Sequence, residues 1–383
     1  MESAVEGRCK KVMNLSLNQQ QDGRIFVPWC KWRSLGPFYG LGANRYTEAE
    51  STRIVVVWGY AMKRLLAVIV ASFISVLSIQ SEDWKNSPYF DTKFLAQYDL
   101  VSQHLMNDEG FIEGFFLTED AISINYLWLK RPNARYTVVF CGGFFPGRKE
   151  GLATFYAMMP DDCNLLFFDA RGHGKSGGRF LSRIWGYGAQ EYKDVIGAMH
   201  FAAKQQRCPI LLYGVCAGAF HATHALLHLQ ERGMLHHAMQ IKGLLFDSGW
   251  SSIGDVSRTA FLSEVDGALR KRFKQPNWLY RPMSAIARVS VNSAHFCVVR
   301  PVLSWRKKMM ALVDKIDRID IPMFYIHAQG DEYAKIEPVK QLAKETKQAT
   351  TWWISEPSKH ACHHLKFKEQ YRERLLSFID GVL

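Results

Sequence analysis

Two kinds of hydrophobic pattern follow one another from about residue 110 onward. The stretch EGFFLTEDAISINYLWL alternates apolar and polar positions around Glu119-Asp120, which predicts an antiparallel pair of strands. Unbroken apolar runs then recur, and each ends in a polar or glycine-rich loop, which is typical of buried strands. These runs are YTVVFCGGFFPG, NLLFFDARGHGKSGG, PILLYGVCAGAF, IKGLLFDSGW, IPMFYIHAQGDE and TTWWISEPSKHACHH.

Segments with helical spacing, such as WGYGAQEYKDVIGAMHFAAK, lie between these runs. The alternation predicts an α/β fold, a mostly parallel twisted sheet with helices on both faces and right-handed crossovers. Ligands of such sheets bind beyond the carboxyl ends of the strands, where the polar loops lie. Residues 252–310, rich in Arg, Trp and Met, interrupt the alternation, and we expect them to form a helical cap over this edge.

A different pattern occurs earlier, in MKRLLAVIVASFISVLSIQS at residues 62–81. Two basic residues precede an apolar run from Leu65 to Leu77, which is the anatomy of a secretory signal peptide. The run is short for a membrane span, but no A-x-A cleavage site is evident, so an uncleaved membrane anchor is the alternative. We therefore expect an exported protein, periplasmic or in the cell envelope, with association to the membrane through this segment if it is not cleaved. A cytoplasmic protein is the other alternative.

The same segment divides the chain. Residues 1–61 mix Gly, Gln, Arg and isolated aromatic residues without a sustained period. We interpret them as a poorly ordered extension or as a start assigned too early. Residues 82–383 are then the folded α/β domain, with the cap as an insertion.

Composition narrows the classes of function. The 383 residues are 48% hydrophobic and 22% charged, which is typical of a globular protein with a sizeable core. The formal charge of +12 is spread along the chain and lacks zinc-finger or RNA-binding spacing, so a nucleic-acid partner is not expected. Eight cysteines without a CxxC pair give no pattern for structural zinc, and no metal or cofactor is expected.

The run PILLYGVCAGAF carries the main chemical candidate. Gly214 and Gly218 stand two positions before and after Cys216, between a strand-like run and a helix-like segment. This is the spacing of a nucleophile elbow, in which serine is usual at the central position. The pattern alone leaves three interpretations open: an active thiol nucleophile, a disabled site, or a small buried side chain.

Five motifs in this order resemble those of α/β-hydrolase-fold proteins over about residues 110–383. They are Cys141-Gly142-Gly143, the DARGHGKS loop, the elbow, Gly330-Asp331 and the terminal KHACHH loop with the helix after it. The order of nucleophile, acid and histidine is also that of this fold. With cysteine at the elbow, the site resembles the Cys-His-Asp triad of dienelactone hydrolases. The rest of the chain looks closer to the serine-hydrolase or aminopeptidase-like branch.

The resemblance implies a role for each matching position. Cys216 would be the nucleophile, at the N-terminus of a helix whose N–H groups favour a thiolate. His360 would stabilise the thiolate and protonate the leaving group, and Asp331 would fix the histidine tautomer. The N–H of Ala217 and one from the region of Gly143 would hold the developing oxyanion.

Alternatives exist within the same loops. His363 and His364 are rivals of His360, and a solvated loop histidine is the plain interpretation of both. Glu332 is the local alternative to Asp331, which by itself would also suit the start of a helix near Ile336. Three further histidines, His221, His224 and His228, can share one helix face, but no carboxylate accompanies them, so packing is preferred to a metal site.

The function predicted from these residues is hydrolysis of an ester, thioester or lactone of a small acyl substrate, through an acyl-cysteine intermediate. Thiols react readily with activated esters, whereas amides demand strong protonation of the leaving group, so a serine-aminopeptidase-like activity ranks lower. The alternatives are a non-catalytic binding protein that kept the fold, or a redox-regulated one. For the latter, Cys141, Cys216 and Cys362 are expected on loops that converge at the strand ends.

Overall fold

The computed structural model describes residues 92–143, 148–178, 190–234, 239–254, 312–331, 333–348, 350–356 and 360–383, with isolated positions between 256 and 293. The predictions for residues 1–61 and for the apolar segment 62–81 lie outside the described residues. Most of the predicted cap also lies outside them. Among the described residues, none of the helices has the length and apolar character needed to cross a membrane.

The described core is a single sheet of eight strands in the order β1-β2-β4-β3-β5-β6-β7-β8. Strand β2 runs antiparallel to both β1 and β4, and the strands from β4 to β8 pair in parallel. The strands are β1 Ile112–Leu117, β2 Ser123–Leu129, β3 Tyr136–Cys141, β4 Cys163–Phe168, β5 Ile210–Val215, β6 Ile241–Asp247, β7 Met323–Ala328 and β8 Thr350–Ser355.

Helices cover both faces of this sheet, and the stretch predicted as helical at residues 185–204 contains a helix that begins at Tyr192. They are α1 Thr92–Asp108, α2 Ala153–Tyr156, α3 Tyr192–Gln205, α4 Ala217–Glu231, α5 Ile336–Glu345, α6 His363–Lys366 and α7 Lys368–Val382, with 3₁₀ turns at Lys149–Leu152 and Ile316–Arg318.

Burial explains why the apolar runs became strands. Every residue of β3, β4, β5 and β7 is buried, as expected for central strands covered on both faces. One apolar core forms between the sheet and helices α3 and α4, which contribute Met199 and Phe220. A second core forms on the opposite face, where α1 and α7 contribute Leu105 and Leu375. The α/β-hydrolase fold expected from the sequence is therefore confirmed.

Candidate active site

Cys216 occupies the sharp turn between β5 and α4. Its backbone angles are φ 58° and ψ −120°, a conformation that side-chain-bearing residues rarely adopt. The Cys216 N–H donates a hydrogen bond of 2.8 Å to the carbonyl of Asp247 at the end of β6, and the Cys216 carbonyl accepts one from Ala219. The strained turn is therefore held from both sides, which is expected of a nucleophile elbow.

The two elbow glycines are required by close backbone contacts. A Cβ atom on Gly218 would lie 1.8 Å from the carbonyl oxygen of Cys141, at the end of β3. A Cβ atom on Gly214 would lie 2.3 Å from the Cα of Ala219. No rotation of a side chain can relieve contacts with backbone atoms, so the sequence spacing of the two glycines reflects the geometry of the turn.

Asp331 and His360 form a pair beside this turn. The Nδ1 atom of His360 lies 2.8 Å from Oδ2 of Asp331. The other carboxylate oxygen of Asp331 accepts the backbone N–H groups of Tyr333 and Ala334 at 2.8 and 2.9 Å. The aspartate thus orders the turn before α5 and binds the histidine at the same time, and helix α5 itself begins at Ile336.

Electrostatic interactions favour the protonated form of His360. Burial by itself would lower the pKa of His360, but the negative charges of Cys216 and Asp331 outweigh burial and raise the pKa well above 6.5. Hydrogen bonding to the side chains of Asp331 and Cys216 adds to this rise, so His360 lies close to Cys216 as well as to Asp331.

The backbone of Gly143 passes close to the sulfur. A Cβ atom placed on Gly143 would lie 3.0 Å from Cβ and 3.3 Å from Sγ of Cys216. Ala217 is the first residue of α4, and N–H groups in the first turn of a helix have no partner within the helix. Both predicted oxyanion donors thus adjoin Cys216, although residues 144–147 lie outside the described part.

The rival histidines make other contacts. His363 is buried between Ser248 and Ser355, at 2.9 and 2.8 Å, and burial lowers its pKa to about 4. His364 lies 3.0 Å from the hydroxyl of Thr154, and burial lowers its pKa to about 3. Both are neutral packing residues and not solvated loop histidines. Glu332 lies outside the described residues.

The loop after β4 is held in place by hydrogen bonds and ion pairs. The carboxylate of Asp169 accepts the backbone N–H groups of Lys149 and Lys175 at 2.7 and 3.1 Å. Arg171 binds Asp194 of α3 and Asp120 of the β1–β2 turn. These contacts fasten the loop to three neighbouring segments.

The three histidines of α4, His221, His224 and His228, were considered as metal ligands in the sequence analysis. Burial lowers the pKa of His221 to about 3 and that of His224 to about 4. Within the described ranges, no three side chains of His, Cys, Asp or Glu are grouped so that they could hold a metal ion.

Four cysteines, Cys141, Cys163, Cys208 and Cys216, form no disulfide bond within the described part of the chain. Cys141 is the last residue of β3, not a loop residue, and burial strongly raises the pKa of its thiol. A buried protonated thiol is a poor nucleophile and a poor redox sensor. Of the three cysteines expected to converge, Cys141 is thus chemically the least suited to a redox role.

A small cavity adjoins the Asp331 loop. Its wall includes Trp250, Val256, Tyr333 and Pro338. The ring of Tyr333 lies 5.3 Å from the ring of His360, between centroids. Tyr333 therefore connects this cavity, whose wall also contains Ser251, Thr259 and Lys335, to the histidine of the candidate site.

The sequence pattern missed the residues that support the histidine loop, Asp247 and Ser248. Both are fully buried at the carboxyl end of β6, and the Ser248 hydroxyl reaches the chain next to His360. The sequence feature that could have indicated them is the polar pair Asp247-Ser248 in LLFDSGW, which ends an otherwise apolar run.

Comparison with known proteins gives one family and several structural relatives. Residues 132–364 match the family model described as serine aminopeptidase, S33. The uncharacterized protein YqkD of Bacillus subtilis (strain 168) is 23% identical over 246 residues, which are 64% of this chain and 72% of YqkD.

Two solved structures share the fold. The esterase Pf2001 of Pyrococcus furiosus superposes with a TM-score of 0.50 and 19% identity, covering 71% of this chain and 91% of the esterase. A membrane phospholipase A described as a bacterial virulence factor gives a TM-score of 0.50 and 18% identity, covering 85% of this chain and 98% of the phospholipase.

Proposed function

This chain belongs to the serine aminopeptidase family S33, and from that premise we propose that it hydrolyses a carboxylic ester, thioester or lactone through an acyl-cysteine intermediate. The proposal departs from the family name at one atom, because the elbow carries the sulfur of Cys216 where a serine oxygen is usual. The observation that carries it is the placement of His360, which lies 2.8 Å from Asp331 and close enough to Cys216 for both groups to raise its pKa.

In the first half of the reaction, Cys216 acts as a thiolate and His360 as an imidazolium. The thiolate of Cys216 attacks the carbonyl carbon and forms a C–S bond, while the π electrons move to the carbonyl oxygen. The N–H groups of Ala217 and the Gly143 region hold this oxyanion. The tetrahedral intermediate then collapses, the bond to the leaving oxygen or sulfur breaks, and His360 delivers the Nε2 proton to the leaving group.

The second half regenerates the enzyme. His360, now neutral and oriented by Asp331, takes a proton from water, and the resulting hydroxide attacks the acyl-cysteine carbonyl. The C–S bond breaks, the carboxylic acid is released, and the sulfur leaves as the thiolate beside the imidazolium. Each proton removed is returned, so the cycle needs no metal or redox cofactor.

Leaving-group chemistry favours esters over peptides. An amine is a poorer leaving group than a thiolate, so an adduct of Cys216 with an amide tends to expel the sulfur again unless the nitrogen is strongly protonated. An alkoxide or thiolate leaving group needs less assistance from His360. The ring of Tyr333, with Trp250 and Val256 in the same cavity wall, supports an apolar acyl group as the part of the substrate bound beside the histidine.

The test uses the full chain under reducing conditions with nitrophenyl esters of graded acyl length, and an aminoacyl amide for comparison. Cys216→Ala and iodoacetamide are each expected to lower kcat by about 10³-fold or more, because the nucleophile is lost. Cys208→Ala is the matched control, since Cys208 is also a free, half-buried thiol but bonds to Thr137.

The outcomes separate the alternatives. Ester hydrolysis that persists in Cys216→Ala rejects the acyl-cysteine mechanism. Preferential cleavage of the amide favours an aminopeptidase activity over an esterase. Absence of hydrolysis in the wild-type protein, with a stable fold, favours the binding protein, and reversible loss of activity with peroxide favours redox control at Cys216.

The location of the protein is proposed on the sequence of residues 62–81 alone. We propose that this segment exports the domain and either is cleaved or anchors it to the membrane. The N-terminal mass of the mature protein distinguishes cleavage from anchoring. A mature protein that begins upstream of residue 62 and fractionates with soluble cytoplasmic proteins contradicts the proposal.

A further inference from the structure

Two adjacent buried residues join the three segments that carry the candidate site. The carbonyl of Asp247 accepts the N–H of Cys216 at 2.8 Å, and the N–H of Ser248 donates to Ile326 of β7 at 2.9 Å. The hydroxyl of Ser248 accepts the N–H of Ala361, the residue after His360, at 3.1 Å. The strand of the nucleophile, the strand before the acid and the histidine loop therefore meet at this dipeptide.

The hydroxyl of Ser248 has three polar neighbours. It donates to Oδ1 of Asp247 at 2.7 Å and accepts from Ala361. His363 Nε2 lies 2.9 Å from the same hydroxyl, and Nδ1 of His363 lies 2.8 Å from the hydroxyl of Ser355. Burial keeps His363 neutral, with a pKa of about 4, which fits one donor and one acceptor nitrogen.

The backbone of Ser248 indicates that the hydroxyl is needed there. Ser248 has φ 54°, in the left-handed region where glycine is the ordinary choice. Ala361, at the other end of the hydrogen bond, has φ 53°. A serine in this conformation carries a steric cost that glycine would avoid, and the hydrogen bonds of its side chain to Asp247 and Ala361 offset that cost.

The surroundings of this pair come from several elements. The hydroxyl of Tyr371 on α7 donates to Oδ2 of Asp247 at 2.6 Å and also contacts the hydroxyl of Tyr213 on β5. His363 Nε2 lies 3.5 Å from Oδ1 of Asp247. His360 and Asp331 act on Asp247 only through longer-range charge, and burial raises the pKa of Asp247 to about 7.

We propose that Ser248, supported by Asp247 and His363, is a positioning residue that sets the separation of Cys216 and His360. The proposal rests on the function proposed above. Asp331 fixes the ring of His360 from one side only. Without the Ser248 hydroxyl, the N–H of Ala361 loses its bond to β6, and the histidine loop shifts relative to the elbow. A displacement of about 1 Å in such a site typically costs about 100-fold in rate.

The experiment compares Ser248→Gly with Ser248→Ala in the full chain. Glycine accepts a φ near 54° without strain, so Ser248→Gly keeps the backbone while it removes the hydroxyl. Ser102→Ala is the matched control, because Ser102 is also a buried serine but lies on α1. Thermal unfolding verifies that each variant is folded.

Two readouts are measured, kcat and KM for a nitrophenyl ester, and the rate of Cys216 alkylation by iodoacetamide as a function of pH. Both Ser248 variants are expected to lower kcat by about tenfold to about 100-fold with little change in KM. Their alkylation at acidic pH is expected to slow relative to the wild type, because the imidazolium no longer stabilises the thiolate as closely.

The result that overturns the inference is a Ser248→Gly protein with wild-type kcat and a wild-type alkylation profile. Failure of the proposed function looks different. In that case the wild-type protein hydrolyses no ester, while the alkylation profile still responds to Ser248→Gly if the positioning role is right. If Ser248→Ala does not fold, kcat and the alkylation profile of Ser248→Gly are sufficient to test the inference.

Discussion

The ammonium group of Lys149 lies 3.2 Å from the carboxylate of Asp169, and neither side chain is exposed to solvent. Glu150 and Glu113 approach the same ammonium at 3.0 and 3.3 Å. Burial by itself would lower the pKa of Lys149, but the carboxylates of Asp169 and Glu150 outweigh burial and raise it. This cluster fastens the chain that follows the Gly143 loop to the end of β4.

Lys149→Met is expected to destabilise the protein by about 3–5 kcal/mol, because it leaves the buried carboxylate of Asp169 without its cation. Lys175→Met is the matched control, since Lys175 pairs with Glu113 but is half-exposed, and an exposed pair contributes about 0–1 kcal/mol. Urea unfolding of both variants gives the comparison. Equal losses in the two variants contradict the role assigned to the buried cluster.

The raised pKa of His360 determines the expected pH dependence of hydrolysis. A thiolate nucleophile works beside an imidazolium, and His360 keeps its proton above its ordinary pKa of 6.5. The ratio kcat/KM should therefore stay level as pH rises through 6.5 and fall only at higher pH, where His360 loses the proton. It is measured from about pH 5 to about pH 9 with a neutral ester.

Cys216→Ser provides the internal comparison for that profile. A serine hydroxyl needs a neutral histidine to accept its proton, and the variant loses one of the charges that raise the pKa of His360. The activity that remains should therefore increase with pH through the range of an ordinary histidine. A wild-type profile that already has this rising shape would count against a thiolate–imidazolium pair.

Gly218→Ala is expected to destabilise the protein by at least about 3 kcal/mol, more than ordinary overpacking, because its Cβ would lie 1.8 Å from a backbone oxygen of β3. Gly381→Ala is the control, since no atom lies within 4 Å of a Cβ there. Within helix α7 that change should stabilise by up to about 1 kcal/mol. Thermal or urea unfolding distinguishes the two, and a harmless Gly218→Ala is incompatible with the close contact.

Asp247 should make stability depend on pH. Its pKa of about 7 in the folded state exceeds the value of about 3.9 expected in an unfolded chain, because burial penalises the charged form. The folded state thus holds the proton more tightly. The contribution of this group to stability is fully present below about pH 4 and is lost as pH rises towards 7.

Asp247→Asn removes that titration. The free energy of unfolding of the wild type relative to the variant should fall between about pH 4 and about pH 7, by up to about 1.4 kcal/mol per unit. Asp380→Asn is the control, because the side chain of Asp380 is largely exposed. A constant difference between wild type and Asp247→Asn across this range shows that Asp247 does not bind a proton in the folded state.

The sequence by itself was sufficient for the sheet and for the elbow. Central strands of such a sheet are covered on both faces, so unbroken apolar runs such as those of β3 and β5 predict strands from local pattern alone. The spacing of Gly214 and Gly218 about Cys216 is also a local pattern in the sequence. In the structure, Gly214 is required by Ala219 of the same turn, and Gly218 is required by Cys141 of the neighbouring strand β3. The order of the motifs then placed Asp331 and His360 at the same edge of the sheet.

Tertiary structure alone decided which groups support that site. The hydroxyl of Ser248 reaches the chain beside His360 across 113 residues of sequence, and Lys149 meets Asp169 across 20. No periodicity encodes such pairs, because hydrogen bonds and ion pairs depend on where folding brings single polar atoms after the apolar core has formed. The strength of the interactions that a buried charge or hydroxyl makes depends on the exclusion of water around it. The linear sequence pattern does not contain that information.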